Sequence, residues 1–518
     1  MRMRPTRSHL LLFALSAWVS AAATAQAGVP DALYAPPPAV LVGTSPAQSP
    51  TILRLSIHEA LVGALTRAVI IQTQRLDLQQ QEAQTEQASH EFLPQTTVSG
   101  GLERDRGSAT DVVTTQGTAT SASLVSTWKL RSGTQVAVSG ERQASPTGSL
   151  DSGGSLNTSS HIMSLSITHP LLRGSGSDVV LLNEHRAALA LEIARKSSLQ
   201  TQRDVVLSGV DAYFGLEQAR QNTTLAEAAL KRATDARAIN EALLTAGRIA
   251  AIAMLQSDAD VAQAELAVIQ ARQTESVACR QLLRVIGRDD LNADQTTVTL
   301  TDSFVSYLPP EIQSEGPIMQ DALARRVDLG LAAAAVTASQ FGVVAANDGM
   351  RNQLDLYVRL DRSGSSMSGV RTRQVNLAVG LSYTIPLDQS LSRLALSAAR
   401  VDLKKADLAR ADLEWTARGE VSDALKNIQF AFLQYRMAQR TAQLARHRLD
   451  AEVDKARAGR SSATDLSLAQ DTLNQALFQE AQARFAIFTA QLALQRSTGT
   501  MLEQWHMDSP AQDTALPL

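Results

Sequence analysis

One succession of features occurs twice in this sequence, and it constrains the fold more than any other property of the chain. In the same order, a Thr-x-Pro-Leu tetrapeptide, an Ala-Gly-Arg tripeptide and a closing glycine appear in each half. The corresponding positions are Pro170 and Pro386, Gly247 and Gly459, and Gly287 and Gly499. The first pair is separated by 216 residues and the other two by 212. We therefore predict two internal repeats, residues 53–287 and 318–505, joined by a linker or equatorial segment at 288–317.

Long helices are predicted between the strand-like segments and the Ala-Gly-Arg tripeptides. Small and apolar residues recur there three and four positions apart, which is the spacing of a coiled-coil seam; the members include Ala226, Ala229, Ala233, Ala236, Leu466, Ala469, Leu473 and Ala476. Because glycine tolerates the left-handed conformation that ends many helices, each tripeptide marks a turn. Each repeat is thus predicted to hold a helical hairpin, with tips at 246–248 and 458–460, about 100 Å long at ~1.5 Å per residue.

Strands with one apolar face are predicted before each hairpin. Residues 375–386 alternate between large apolar side chains and small or polar ones, as do residues 353–362. An apolar face beside a polar one suits a strand with lipid on one side and water on the other. Comparable strands are expected at about 94–104 and 162–170 in the first repeat. So few strands cannot close a barrel alone, and open edges are not tolerated in lipid, so several chains must share one barrel.

The first repeat contains a further hairpin signal at 122–142. Pro94 and Pro170 bound the strand region of the first repeat and lie 76 residues apart, whereas the strand region of the second repeat, from Asn352 to Pro386, spans only 34 residues. The extra pair of strands either crosses the membrane or forms an external flap. Lys129 and Arg131 flank its turn and suit external water, so we expect a flap, with two crossing strands in the first repeat and twelve in a trimer rather than eighteen.

The N-terminus has the pattern of an export signal. Arginines precede an apolar run, and Ala25-Gln26-Ala27 follows it, so residues 1–27 are predicted to be a cleaved signal peptide. Residues 28–52 form a Pro-rich segment and residues 506–518 a C-terminal tail. No later stretch holds the ~18–20 uninterrupted apolar residues of a spanning helix, so strands are expected to cross the membrane.

Neither charge nor motifs indicate nucleic-acid binding, catalysis or a cofactor. The net charge is −3, with 48 basic and 51 acidic residues, so no basic footprint for nucleic acid is present. The eight histidines form no metal-ligand spacing. Asp258 and Asp260 are two positions apart and point to different faces of a helix, so they do not make a carboxylate pair. We expect no enzyme, no metal and no cofactor.

The order of these features resembles the outer membrane efflux protein family, of which TolC is the archetype. The resemblance covers residues 53 to 505 and rests on the export signal, the duplicated helix–strand–strand–helix order, the Thr-x-Pro-Leu strand ends and the Gly-Arg turns. It implies an α+β membrane protein: a homotrimer whose outer-membrane β-barrel continues as a long periplasmic α-helical coiled-coil barrel. It also implies a passive exit duct for a tripartite efflux pump or type I secretion system, with a periplasmic adaptor, an inner-membrane pump and outer-membrane lipid as partners.

The resemblance implies two sets of site residues. Acidic residues ring the periplasmic constriction of the archetype, which transfers here to Asp465, with Leu468 at a position that is acidic in the archetype and Asp471 further along. The helix tips of the family contact the adaptor, which places Gly247, Arg248, Gly459 and Arg460 at the docking surface. The alternative interpretation is an exported structural or adhesive coiled-coil protein without a channel. The exported substrate and the cognate pump are not specified by the sequence.

Overall fold

The computed structural model describes residues 51–108, 114–149, 155–288, 296–307, 315–367, 370–458 and 460–507. The described residues all belong to one compact unit, Pro50–Leu518. The predicted signal peptide, nearly all of the Pro-rich segment and most of the C-terminal tail lie outside the described residues, as do parts of the 288–317 segment.

Helices and strands follow the predicted order in both repeats. The first repeat contains β1 (Thr51–Leu55), α1 (Ile57–Arg67), α2 (Val69–His90), β2 (Gln95–Ser108), β3 (Thr114–Lys129), β4 (Gln135–Ser149), β5 (Ser155–Pro170), α3 (Ser177–Val180), α4 (Leu182–Thr245) and α5 (Ile252–Val285). The connecting segment holds β6 (Thr296–Leu300) and a 3₁₀ turn at Phe304–Tyr307. The second repeat contains α6 (Glu315–Arg325), α7 (Val327–Asp348), β7 (Gln353–Met367), β8 (Val370–Thr384), α8 (Ser390–Arg457), α9 (Ala463–Thr498) and α10 (Met501–Gln504).

Six strands form one antiparallel sheet in the order β2-β3-β4-β5-β7-β8. The pair β5–β7 joins the two repeats, and β2 and β8 lie at the two edges. The helices connect to one end of this sheet, called here the helical end; the opposite end is the distal end.

Residues 122–142 do not form a flap separate from the sheet, whereas the number of strands that cross the membrane stays a prediction. These residues belong to β3 and β4, which have 16 and 15 residues and pair along their whole length with the neighbouring strands. Their turn lies at the helical end, where Lys129 Nζ is 2.5 Å from Glu91 Oε1 and Arg131 is 2.9 Å from Glu184 Oε1. The two basic residues are therefore explained by carboxylates on neighbouring helical segments rather than by external water.

The two sides of the sheet differ in polarity. On β8, Val375, Leu377, Val379, Leu381 and Tyr383 project to one side and remain exposed in the single chain. Their register partners on β7 include Leu354, Leu356, Val358 and Leu360. We call this side the apolar face and the opposite side the polar face. Successive residues of a strand point to opposite sides, so the register assigns every strand residue to one face.

Four helices, α4, α5, α8 and α9, pack side by side beyond the helical end of the sheet. Helix α4 packs against α5 and α9, and α9 packs against α8, so α5 and α8 lie at the two sides of this helical layer. With 64 and 68 residues, α4 and α8 are about 96 and about 102 Å long at ~1.5 Å per residue. The predicted hairpins are α4–α5 and α8–α9, and small residues fill the seam near their tips: Ala236, Ala442, Ala445, Ala456, Ala469 and Ala476.

The helix that opens each repeat is broken at a matching position. Ala68 separates α1 from α2 and Arg326 separates α6 from α7, and both residues have extended backbone with ψ of 129° and 119°. Arg326 binds Asp328 through two hydrogen bonds, at 3.1 and 2.6 Å, and Glu420 through a third at 2.5 Å. Burial opposes ionisation of Asp328, but the hydrogen bonds from Arg326 hold the pKa of its carboxyl below the ordinary value. The hydrogen bond from Arg326 to Glu420 thereby connects the break between α6 and α7 to α8.

An aromatic core lies at the level of these breaks. Tyr213 and Phe214 of α4 are fully buried against Phe304 and Phe488, and Trp505 joins them. The Tyr213 hydroxyl donates to the carbonyl of Leu55 at the end of β1, which pairs in parallel with β6. β6 and the 3₁₀ turn at Phe304–Tyr307 thus contribute to an equatorial core between the sheet and the hairpin tips.

One helix of the described residues is long and apolar enough to cross a membrane by length and composition, namely Val327–Asp348. Its sequence includes the polar residues Thr337, Ser339 and Gln340. The helix packs along α4 and α8 instead of standing apart. A single helix of this kind is weak support for a span.

Candidate functional site: the hairpin tips

The first tip is a glycine-terminated helix end. Gly247 has φ of +71°, its N–H donates to Leu244 O at 2.9 Å, and Arg248 N–H donates to Leu243 O at 2.9 Å. This pair of hydrogen bonds defines the Schellman motif, which satisfies carbonyls that the helix end would leave unpaired. The left-handed conformation is the physical reason for glycine here.

The second tip repeats this arrangement in the residues that can be described. Arg460 N–H donates to Lys455 O at 2.9 Å, the counterpart of the Arg248 bond. Gly459 itself lies outside the described residues. Ser462 caps the start of α9 by accepting a hydrogen bond from the backbone N–H of Asp465 at 3.1 Å. The duplicated tripeptides therefore mark equivalent turns.

Both tips present an arginine to solvent. Arg248 and Arg460 are exposed, and neither side chain has an ion pair or hydrogen bond to any residue in the described part of the chain. An unpaired guanidinium in water is a ready partner for a carboxylate on another protein. Docking at the tips stays a prediction, for which Arg248 and Arg460 are exposed residues.

The two tips lie beside each other. Arg232 of α4 donates to Asn474 Oδ1 of α9 at 2.6 Å, and Gln470 donates to the Arg232 carbonyl at 3.2 Å. Within the first hairpin, Asn240 donates to Ser257 Oγ at 2.8 Å, and both residues are buried. Because buried polar groups are costly unless paired, these bonds fix the register of helices whose seam is mostly alanine.

The three predicted gate residues occupy different environments on α9. Asp465 is exposed and accepts a hydrogen bond from the Ser462 hydroxyl at 2.6 Å, so it serves as a helix-capping partner. Leu468 is exposed to 53% although it is a large apolar residue. Asp471 is exposed one turn further from the tip.

Asp260 joins this group, which the sequence did not predict. Asp471 is largely exposed, but partial burial of its carboxyl raises the pKa above the ordinary value, and the charge of Asp260 raises it further. Asp258 points elsewhere, to Arg237 at 2.6 Å, in keeping with the predicted separation of the two acids. The proximity of Asp260 to Asp471 depends on the packing of α5 against α9, which sequence spacing alone does not reveal.

The described residues contain no cluster of three or more His, Cys, Asp or Glu side chains that could hold a metal ion. Cys279 is buried in the equatorial core. What the tips offer is therefore charge, exposed apolar surface and turn geometry.

A family model decides the identity of the second repeat. Residues 318–500 match the outer membrane efflux protein family. This part of the chain is therefore similar to the family. The match begins within α6, continues through α9 and includes the second tip and the positions of the predicted gate residues, whereas the predicted resemblance extends over residues 53 to 505. A comparison of the sequence with curated proteins found no significant match.

Solved structures of outer-membrane proteins share the fold of this chain. The CmeC outer membrane channel of Campylobacter jejuni is 15% identical, with a TM-score of 0.63 over 86% of this chain and 85% of that one. VceC of Vibrio cholerae is 14% identical, with a TM-score of 0.61 over 86% and 96% of the two chains. The MtrE channel of Neisseria gonorrhoeae, solved in its open state, is 16% identical, with a TM-score of 0.60 over 86% and 88%. At these identities the likeness concerns the fold.

Proposed function

We propose that three copies of this chain form an outer-membrane exit duct, a passive conduit for a tripartite efflux pump or a type I secretion system. The observation that carries the proposal is that both layers of the molecule are open at both sides. In the sheet, β2 and β8 each leave one row of backbone groups unpaired. Since open strand edges are not tolerated in lipid, an edge of one copy must pair with an edge of the next.

The helical layer has matching open sides. On α8, Leu394, Val401, Leu408 and Trp415 follow one another at intervals of seven residues, and each is at least 49% exposed. On α2, which lies level with this part of α8, Val69, Ile70 and Leu76 are exposed as well. An exposed heptad stripe is the seam of a coiled coil that lacks its partner. Because the helices in this half of the layer lie in the order α2-α4-α7-α8, the α8 side of one copy would meet the α2 side of its neighbour.

Three copies follow from the family resemblance, and six strands per copy then give a barrel of eighteen strands. Barrel diameter grows with strand number, and barrels of 16–18 strands hold an aqueous channel. The apolar face would contact lipid and the polar face would line the lumen. The hairpins would extend through the periplasm, and their tips would bind the adaptor.

Purified protein is expected to migrate as a trimer in mild detergent and to conduct ions in planar bilayers. Changing Val401 and Leu408 together to glutamate should convert most of the trimer to monomer, because each buried leucine- or valine-sized side chain contributes about 1.5–3 kcal/mol. The measurement is native mass analysis followed by single-channel recording.

The matched control exchanges the charges of the adjacent exposed residues, Arg400→Glu with Asp407→Lys, and should keep the trimer. A wild-type protein that is monomeric, fractionates away from outer membranes and does not conduct would instead support the alternative, an exported adhesive coiled coil.

The gate is proposed to lie at the tip, with Asp465, Leu468 and Asp471 around the constriction. Asp465→Asn is expected to lower the preference of the pore for cations several-fold, because three carboxylates would lose their charge at one level. Asparagine retains an oxygen that can accept from Ser462, so the helix cap remains. The readout is the reversal potential in a salt gradient.

Ser462→Ala provides the matched control, because it removes the cap and keeps the charge. Equal shifts in both variants, or none in Asp465→Asn, would mean that Asp465 serves the helix start alone.

A further inference from the structure

Charged side chains are sorted between the two faces of the sheet. Among the residues whose side chains are described, the register places five arginines on the apolar face: Arg104, Arg142, Arg362, Arg371 and Arg373. Every acidic residue of the strands whose side chain is described lies on the polar face, namely Glu103, Glu141, Asp355 and Asp361. The face that would contact lipid thus carries only positive charge at these positions.

Each arginine lies on the distal side of the apolar residues of its strand, with Arg142 midway along β4. On β8, Arg371 and Arg373 precede the apolar residues from Val375 to Tyr383. This apolar run of nine residues extends about 26 Å along the strand at ~3.3 Å per residue, close to the height of a bilayer's apolar band once the strand is tilted. On β7 and β4, Arg362 and Arg142 likewise follow the apolar positions toward the distal end. The arginines therefore stand where lipid tails give way to headgroups.

Three of these arginines, Arg142, Arg362 and Arg373, lie near one another across four neighbouring strands. Arg373 pairs with Gly364, Gly364 with His161, and His161 with Arg142, all on the apolar face. A Cβ at Gly364 would clash with the His161 ring, so the imidazole covers the glycine between the two arginines. Arg373 and Arg142 are three strand spacings apart, about 14 Å, and Arg362 is diagonal to Arg373 at about 7–8 Å.

No described residue neutralises this cluster. All five arginines are exposed, and none forms an ion pair or hydrogen bond within the described residues. Like charges on neighbouring strands repel each other, so the arrangement is unfavourable for the isolated chain. It becomes favourable when an anion binds, and arginine binds phosphate through two parallel hydrogen bonds.

We infer that the arginine cluster of Arg142, Arg362, Arg371 and Arg373 binds the headgroup phosphates of lipids in the outer leaflet of the membrane. The inference rests on the proposed function, because it takes the apolar face to contact lipid. A headgroup with more than one phosphate fits best, since the row spans about 14 Å. The long arginine stems can lie along the apolar surface while the guanidinium groups reach the headgroup level.

The test measures lipid binding to the purified, detergent-solubilised oligomer. The probe is a bis-phosphorylated glucosamine-disaccharide lipid in mixed micelles, compared with the same lipid after enzymatic removal of its phosphates. The triple variant Arg142→Gln/Arg362→Gln/Arg373→Gln is expected to bind the phosphorylated lipid at least about tenfold more weakly, which corresponds to 1.4 kcal/mol. Binding of the dephosphorylated lipid should be the same for both proteins.

Arg359→Gln is the matched control for the single variant Arg142→Gln, because Arg359 lies on the polar face of β7. The inference would be overturned if the triple variant binds the phosphorylated lipid as tightly as the wild type, or if Arg359→Gln and Arg142→Gln lose equal affinity for it. It would also be overturned if millimolar inorganic phosphate competes as strongly as the lipid does. Channel conductance is recorded separately. A conducting variant that has lost lipid binding supports the cluster, whereas a wild-type protein that binds the lipid without conducting argues against the duct and leaves the cluster standing.

Discussion

Export is expected to stop when Gly247 is changed to proline, while the oligomer stays in the outer membrane. Proline fixes φ near −65°, whereas Gly247 has φ of +71°, and proline also lacks the N–H that donates to Leu244 O. The Schellman motif at the first tip would be lost, and Arg248 would no longer be presented beside the second tip. The equatorial core and the sheet lie tens of ångströms away, so assembly should persist. The measurement is substrate efflux or secretion, with the oligomer quantified in the same membranes.

Alanine substitutions provide graded controls for this experiment. A Cβ at Gly247 would have no atom within 4 Å, so Gly247→Ala adds only the strain of a left-handed alanine, about 1–2 kcal/mol. It should reduce export partially. Gly215 lies within α4, where a Cβ would also have open space, so Gly215→Ala should leave export unchanged. Normal export by Gly247→Pro, or equal losses in both alanine variants, would count against docking through the tips.

The duplicated glycines were the most informative part of the sequence because each has a local physical cause. Gly287 and Gly499 have φ of +68° and +71°, and each ends a hairpin against the last residue of a short helix, Arg67 or Arg325. Such requirements act within a few residues, so spacing alone predicts them. The hairpins and the order of the strands along the chain could be predicted from the sequence for the same reason.

Features that depend on distant partners were not predictable in this way. The strands extend beyond their expected ends; for example, β5 begins at Ser155 rather than near 162, because backbone pairing with β4 continues where apolar alternation stops. The break at Ala68 has no proline or glycine to mark it. At the tips, the approach of Asp260 to Asp471 arises from helix packing. Lys129 and Arg131 suggested external water because their partners, Glu91 and Glu184, are 38 and 53 residues away.

A cysteine at Arg131 is expected to resist an impermeant thiol reagent on intact cells and to react once the outer membrane is opened. The turn between β3 and β4 lies at the helical end, where Arg131 stacks 5.3 Å from the Phe92 ring and Gly133 faces Val180. If the sheet spans the membrane as proposed, this turn is periplasmic, and the change in labelling should be nearly all or none. Native Cys279 is buried and is replaced by alanine to remove background.

Two further positions make this topological test decisive. Ser132→Cys probes the same turn without removing the Arg131–Glu184 ion pair, because the Ser132 hydroxyl contacts only Thr134 among the described residues. Ser365→Cys lies near the distal end of β7 and should react on intact cells. Labelling of Arg131→Cys and Ser132→Cys from outside, at the rate of Ser365→Cys, would mean that β3 and β4 form an external flap and that each chain contributes four strands. Protection of both turn positions supports six strands per chain, because a strand pair with its turn in the periplasm must cross the membrane twice.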